Sequence, residues 1–194
     1  MVKQEVLAAL DAVRGRYISG QELAAQLGVS RTAVWKAVAA LRRDGIPIKA
    51  VTNRGYTLAQ SVDVLNAAAV AAQLDEATVK ALQIEVVDRL PGTNAALRSR
   101  ADAGAREGLV LIAQAQSAGR GRGGHSFYSP PGGLYMSILL RPEIGARQAV
   151  GLTAMAAVAA ARAAERLCGV PITIKWVNDL WKNGKKVCGI LTEA

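Results

Sequence analysis

Two short helices, each opened by its own serine, constrain this chain more than any other feature. Ser19-Gly20-Gln21-Glu22 has the form of a capping box. The serine side chain accepts from the new helix's backbone, and the glutamate reaches back to the serine N–H. That helix turns Leu23, Ala24 and Leu27 inward and stops at Gly28, a residue suited to a left-handed C-cap. Ser30 then opens a third helix, whose inner face is Val34, Val38 and Leu41 at positions i, i+4 and i+7. Upstream, Val6, Leu7, Leu10 and Val13 recur at helical spacing, so a first helix is expected over about Lys3–Arg14. Two short helices around a glycine turn make a helix-turn-helix. Downstream, Ile46–Val51 and Tyr56–Leu58 flank Thr52-Asn53-Arg54-Gly55, which predicts a hairpin. The sum is a winged helix over residues 1–61.

The charge pattern says what such a module would bind. The chain has 24 Lys and Arg against 15 Asp and Glu, a net charge of +9. Nine of the cations and four of the acids fall in residues 1–61, so the first third is the denser cation. A basic module favours an anionic partner. The third helix shows Arg31, Thr32, Lys36, Arg42 and Arg43 on its outer face. Arg31 and Thr32 are expected near base edges, with Lys36, Arg42 and the wing residue Arg54 on DNA phosphates. Trp35 is read as partly packed. The competing reading is a helical interaction module whose charges are merely solvated.

Several classes drop out. The two cysteines, Cys168 and Cys188, are twenty residues apart and form no CxxC pair, which argues against a zinc site or a disulfide framework and fits a reducing cytoplasm. The longest low-polarity run, Ala149–Ala161, is too short to span a bilayer, so no membrane partner is expected. The N-terminus runs straight into an amphipathic pattern rather than a signal peptide.

After a small polar connector at Ala59–Asp63, the pattern changes. Val64–Leu74 and Ala77–Leu82 read as helical, making residues 62–82 a helical linker into a second domain at 83–194. In that domain Ile84–Val87, Leu109–Ala113, Leu134–Leu140, Ile172–Lys175 and Val187–Thr192 read as strands, with helices over about Asn94–Ala103 and Val150–Leu167. Asn183-Gly184 is a hairpin turn. Strands alternating with helices, plus a hairpin, imply an α+β fold with a mixed sheet.

Polar residues gather at the strand ends. Thr93 and Asn94 follow one strand; Gln116 and the loop Gly119-Arg120-Gly121-Arg122-Gly123-Gly124-His125 follow another. Lys175-Trp176-Val177-Asn178-Asp179 and Lys186 lie at two more. Four glycines give the loop little intrinsic order, and its two arginines are bidentate anion forks. A lid over a phosphate or carboxylate and a solvated surface loop both fit that stretch. His125 is the only histidine, and no Ser/His/Asp arrangement is visible. The set suits a neutral polar ligand held beside a polyphosphate, with Asp179 available to Mg²⁺. A plain turn carboxylate at a strand end is the other reading of Asp179.

These blocks resemble the biotin–protein ligases: Thr93-Asn94, Gln116 to Arg122, Lys175 to Asp179, and Lys186-Val187-Cys188-Gly189-Ile190-Leu191, in that order behind a winged helix. The resemblance spans essentially the whole chain. It implies a ligase that makes biotinyl-5′-AMP from biotin and MgATP and passes biotin to a lysine of a biotin carboxyl carrier protein. It also implies an adenylate-bound homodimer that represses transcription on operator DNA. Thr93, Asn94 and Gln116 would bind the biotin ureido ring. Arg120, Gly121 and Arg122 would close over the carboxylate and α-phosphate, Lys186 would contact the activated acyl-phosphate, and Asp179 would be the catalytic carboxylate. Gly92, Gly119, Phe127, Asn178 and Gly189 complete the implied biotin and adenylate lining.

The chain departs from the family pattern in places. Gly92 stands where serine is usual, His125 where arginine is usual, and Phe127 where tryptophan is usual. The family also continues past the Lys186 strand with more sheet, a glycine-asparagine segment and a small β-barrel, so a longer parent chain is expected. A ligation-deficient biotin-responsive repressor and a lipoate-type ligase are the alternative readings.

Overall fold

The computed structural model describes residues 2–60 and 65–194. The chain divides into two compact units, Met1–Val86 and Val87–Ala194.

In the first unit, α1 (Val2–Ala12), α2 (Gly20–Leu27) and α3 (Arg31–Arg43) precede a hairpin of β1 (Ile48–Val51) and β2 (Gly55–Leu58). The caps form as their residue types dictate. Ser19 accepts from the Glu22 N–H at 3.1 Å, Glu22 accepts from the Ser19 N–H at 2.8 Å, and Ser30 accepts from the Ala33 N–H at 3.1 Å. Gly28 ends α2 with φ of 64°, in the left-handed region. Val6, Leu7, Leu10, Leu23, Val34, Val38, Leu41, Ile48 and Leu58 close one buried core. Burying each of these side chains stabilises the unit by about 1.5–3 kcal/mol before conformational entropy is counted.

The wing pairs Ile48 with Leu58 and Val51 with Gly55. A second pairing ties it back to the helices: Ile18 and Tyr56 exchange backbone hydrogen bonds of 2.9 and 2.8 Å. This contact makes Gly55 obligatory. Its φ is 94°, and an added Cβ would fall 2.2 Å from the Ile18 carbonyl oxygen.

Beyond the wing the helices differ from the expected ones. Of the connector expected at Ala59–Asp63, Ser61, Val62 and Asp63 lie outside the described residues, as does Val64 at the start of the expected helix. The helix that forms there is α4 (Ala67–Ala71), opened by Asn66, whose Oδ1 accepts from the Ala69 N–H at 2.8 Å. Asn66 also donates to Asp11 Oδ2 at 3.2 Å. A buried asparagine that caps one helix and reaches another marks the start of α4 at Ala67. Asp75 caps the next helix, α5 (Glu76–Ala81).

The strand β3 (Gln83–Leu90) crosses into the second unit. There α6 (Thr93–Asp102), β4 (Leu109–Gln116), β5 (Tyr135–Ile138), α7 (Ala146–Cys168), β6 (Thr173–Lys175), β7 (Asp179–Lys182) and β8 (Lys185–Gly189) follow. Two three-stranded sheets result, ordered β3-β4-β5 and β6-β7-β8. The first is mixed. The ends of β3 and β4 continue side by side, Ser117 N–H donating to Leu90 and Ala118 N–H to Pro91, while β5 runs antiparallel to β4. Leu97, Leu109 and Leu111 centre one core; Ala157, Ala161 and Leu180 centre the other.

Two elements correct the strand assignment from sequence. Asp179, read as the close of a block following a strand, instead opens β7, and Leu180–Lys182, given no element from sequence, complete it; the Asn183-Gly184 turn needs a partner strand and Leu180 supplies its buried residue. The last strand begins at Lys185 and ends at Gly189, short of the expected Thr192. The side chains beyond it answer to a different demand, described below.

Candidate functional site

The site in the second unit grows from a helix whose N-cap position has no side chain. Gly92 precedes α6 and makes no side-chain cap. Gln116, at the end of β4, supplies the missing acceptor: its Oε1 takes the Thr93 N–H at 2.8 Å and the Thr93 hydroxyl at 3.2 Å. Its Nε2 donates to Ser129 Oγ at 2.9 Å, and Ser129 donates to the Phe127 carbonyl at 2.9 Å. Ser137, on β5, lies 2.8 Å from Thr93 Oγ1 and 2.5 Å from Asn94 Oδ1. The Asn94 amide donates to the Leu191 carbonyl at 3.1 Å and to Glu193 at 2.8 Å.

Counting hydrogen-bonding capacity shows what this network leaves for a ligand. Gln116 retains one N–H. Asn94 has both N–H groups engaged and retains acceptor capacity on Oδ1. One donor and one acceptor on neighbouring neutral amides match a planar group that carries both a carbonyl and an N–H.

The Gly/Arg loop is more ordered than its composition suggests. Gln116 pairs with Ser129 and Arg120 with Ser126 as antiparallel bridges. Phe127 N–H donates to Gly119 and Gly121 N–H to His125, each at 2.8 Å, so the loop is a narrow hairpin. Gly119 permits this crossing. A Cβ there would sit 2.5 Å from the Phe127 carbonyl and 2.6 Å from Ser129 Oγ.

The two loop arginines diverge. Arg122 donates to Asn178 Oδ1 at 3.2 Å. Arg120 is exposed and lines, with Arg89 and Tyr128, an open depression of about 590 Å³ that also reaches Gln116. His125 is exposed beyond them.

The Asn178 backbone in turn accepts from Ile190 N–H at 2.8 Å, which brings the turn before β7 onto the end of β8. There Lys186 Nζ lies 2.8 Å from Asp179 Oδ1 and 5.8 Å from the centre of the Phe127 ring. Gly189 leaves room for the lysine: a Cβ would fall 3.0 Å from Lys186 Cε and 3.4 Å from Phe127. Asp179 Oδ1 is buried and, apart from that ion pair, accepts no hydrogen bond among the described residues. Neighbouring Cys188 has its thiol pushed up by burial, which outweighs the pull of the Lys186 charge.

Phe127 joins the halves of this site, its carbonyl in the amide cluster and its ring against the lysine. The sequence-derived set thus falls into two connected clusters, Gly92, Thr93, Asn94, Gln116 and Gly119 in one, Phe127, Arg122, Asn178, Asp179, Lys186 and Gly189 in the other, with Gly121 bonded to His125 within the hairpin and Arg120 exposed. Sequence reasoning missed Ser129, Ser137, Leu191 and Glu193. Ser137 lies one place from a strand centre with nothing around it to mark it as more than a polar strand residue.

In the first unit Arg31, Thr32 and Lys36 are exposed on α3. Trp35, read as partly packed, is 61% exposed beside them. Arg42 Nε donates to the Ile48 carbonyl at 2.7 Å, which commits part of its guanidinium to holding α3 against the wing. Arg54 stacks over Tyr17, 4.6 Å from the ring centre.

Comparison with known proteins agrees with both parts. Residues 86–194 match the biotin/lipoate A/B protein ligase family, and residues 3–57 match a helix-turn-helix domain. The chain belongs to the biotin/lipoate A/B protein ligase family. Within it, the chain is 36% identical over 193 residues to the bifunctional ligase/repressor BirA of Bacillus subtilis, covering 99% of this chain and 59% of that protein. It is 35% identical over 180 residues to BirA of Escherichia coli, covering 92% of this chain and 54% of that one. The biotin protein ligase of Aquifex aeolicus, solved in complex with biotin and ATP, superimposes with a TM-score of 0.51 at 31% identity, over 58% of this chain and 47% of that structure. The chain therefore spans little more than half the length of these two BirA proteins. Among the described residues no helix is long and apolar enough to cross a membrane.

Proposed function

We propose that this chain carries the winged helix and the biotin-activating core of a bifunctional ligase and repressor. In this reading residues 1–61 bind operator DNA, residues 62–82 connect, and residues 83–194 carry the ligase chemistry. The observation that bears the reading is the paired amide capacity of Gln116 and Asn94 beside the Lys186–Asp179 pair. A cyclic urea offers a carbonyl that can accept from the Gln116 N–H and an N–H that can donate to Asn94 Oδ1. Biotin joins such a urea to a carboxylate tail, which can reach the cations.

The chemistry asks little of the protein beyond position and charge. A biotin carboxylate oxygen attacks the α-phosphorus of ATP, and pyrophosphate leaves with its bonding electrons. Lys186 and Arg122 are suited to neutralise the charge that builds on the phosphate oxygens. The amine of a carrier-protein lysine then attacks the acyl carbon of biotinyl-5′-AMP, and AMP departs. The hairpin loop over the site would keep water from the mixed anhydride.

Magnesium enters as MgATP. Among the described residues no group of three or more His, Cys, Asp or Glu could cage a metal ion. Asp179 is the single carboxylate beside the lysine, so it would touch a metal held mainly by phosphate. Dimerisation on DNA and a cytoplasmic location complete the proposal.

Incubating the chain with biotin, MgATP and a biotin-acceptor domain, beside a form extended to the length of its relatives, tests it. Biotinylated acceptor from the extended form supports the reading. Biotin binding without acceptor labelling by the extended form points instead to a ligation-deficient repressor. Lipoate binding with no biotin binding points to a lipoate-type ligase.

A further inference from the structure

Glu193 takes part in no chemistry described above, yet it is tied to the centre of the amide cluster. Its Oε2 accepts from Asn94 Nδ2 at 2.8 Å and its Oε1 from Arg98 at 3.1 Å. Asn94 and Arg98 stand four residues apart on α6, so one carboxylate spans one turn of that helix. The Leu191 carbonyl takes the other Asn94 N–H at 3.1 Å.

We propose that Glu193, braced by Arg98, is a positioning residue that fixes which way the Asn94 amide faces and so makes this site select ligands offering an N–H donor. An asparagine amide rotated by a half-turn exchanges its oxygen and nitrogen with almost no change in shape. Ser137 alone does not settle that choice, because its hydroxyl can donate to an oxygen or accept from an NH₂ group. A carboxylate and a backbone carbonyl can only accept. Together they hold the NH₂ away from the ligand and leave Oδ1 toward it. Two residues beyond β8 thus serve the first two turns of α6.

The inference rests on the reading of Asn94 as a contact to a urea ring. Its test is calorimetric titration of the chain with biotin and with the two biotin isomers methylated at one ureido nitrogen. The parent is expected to reject one isomer more strongly than the other. Glu193→Ala is expected to weaken biotin by up to about tenfold, the value of one hydrogen bond, and to bring the two isomers together. Glu193→Gln, which keeps a side-chain acceptor, is expected to restore binding and discrimination. Parent-like behaviour of Glu193→Ala, or equal weakening of all three ligands with no rescue by Glu193→Gln, would overturn the proposal. A parent that binds no biotin would overturn the functional reading beneath it, so the two failures are distinguishable.

Discussion

The two units of this chain reach their working surfaces by opposite routes. In the winged helix, Arg31, Thr32 and Lys36 stand exposed on α3 while structure is carried by residues a few positions away, such as Ser30 and Leu41. For these three side chains presentation is separate from stability, although Arg42 also ties α3 to the wing. In the ligase unit they are the same job. Gln116 caps a helix and pins a loop through Ser129, and among the described residues one of its N–H groups has no partner. The first unit should therefore tolerate changes on its surface, and the second should not tolerate changes at its site.

The sharpest way to break that contrast is to damage each unit where its structure is concentrated. Leu41→Ala opens a cavity in the winged-helix core and should cost about 2–5 kcal/mol. Calorimetry should show the first unit melting early, with biotin binding retained; loss of both would mean the units do not act separately. Gly119→Ala forces a Cβ against the Phe127 carbonyl and Ser129 Oγ and should cost about 1–3 kcal/mol. It should lower biotin affinity while leaving DNA binding intact, and unchanged biotin titrations would show that the loop crossing is looser than described.

Milder changes sharpen the comparison. Arg122→Gly removes the contact to Asn178 and one of the two cations assigned to the phosphate, so adenylate should still form, more slowly, while the half-life of the bound adenylate shortens, measured by chasing labelled intermediate. Lys36→Ala should weaken DNA binding across sequences and reduce the salt slope by about one; an unchanged slope argues against a phosphate contact there. The smallest effect concerns the capping box. The Ser19 backbone and side chain hold the Glu22 carboxyl below its ordinary value of 4.5. A depressed folded pKa means the associated stability is present above the unfolded value and lost as pH falls through the folded one. Glu22→Gln, which keeps the box without the charge, should flatten the acid side of the first unit's melting profile below about pH 4.5.

The same contrast explains what the sequence made legible. The winged helix was readable almost residue by residue, because caps, glycine turns and i, i+4 spacing act within a few positions. Asn66 escaped because its partner, Asp11, lies far upstream. In the ligase unit the motif residues were visible as types, but not their partners. Nothing near Ser137 in sequence signals that it meets Thr93 and Asn94, and nothing near Glu193 signals Arg98. β7 was missed because Asp179 reads as the close of a polar turn, although it pairs with Lys175 on one side and Gly189 on the other.

The glycine at position 92 has one more consequence. Because the N-terminus of α6 is closed by a residue from β4, occupancy of the pocket and fraying of that helix share a single amide. Thermodynamic reciprocity then requires that a ligand preferring the capped arrangement shift the opening equilibrium of α6 toward the closed form by the same factor that capping raises its affinity. Amide hydrogen exchange at Thr93 and the residues after it would register the ligand directly, without any catalytic turnover.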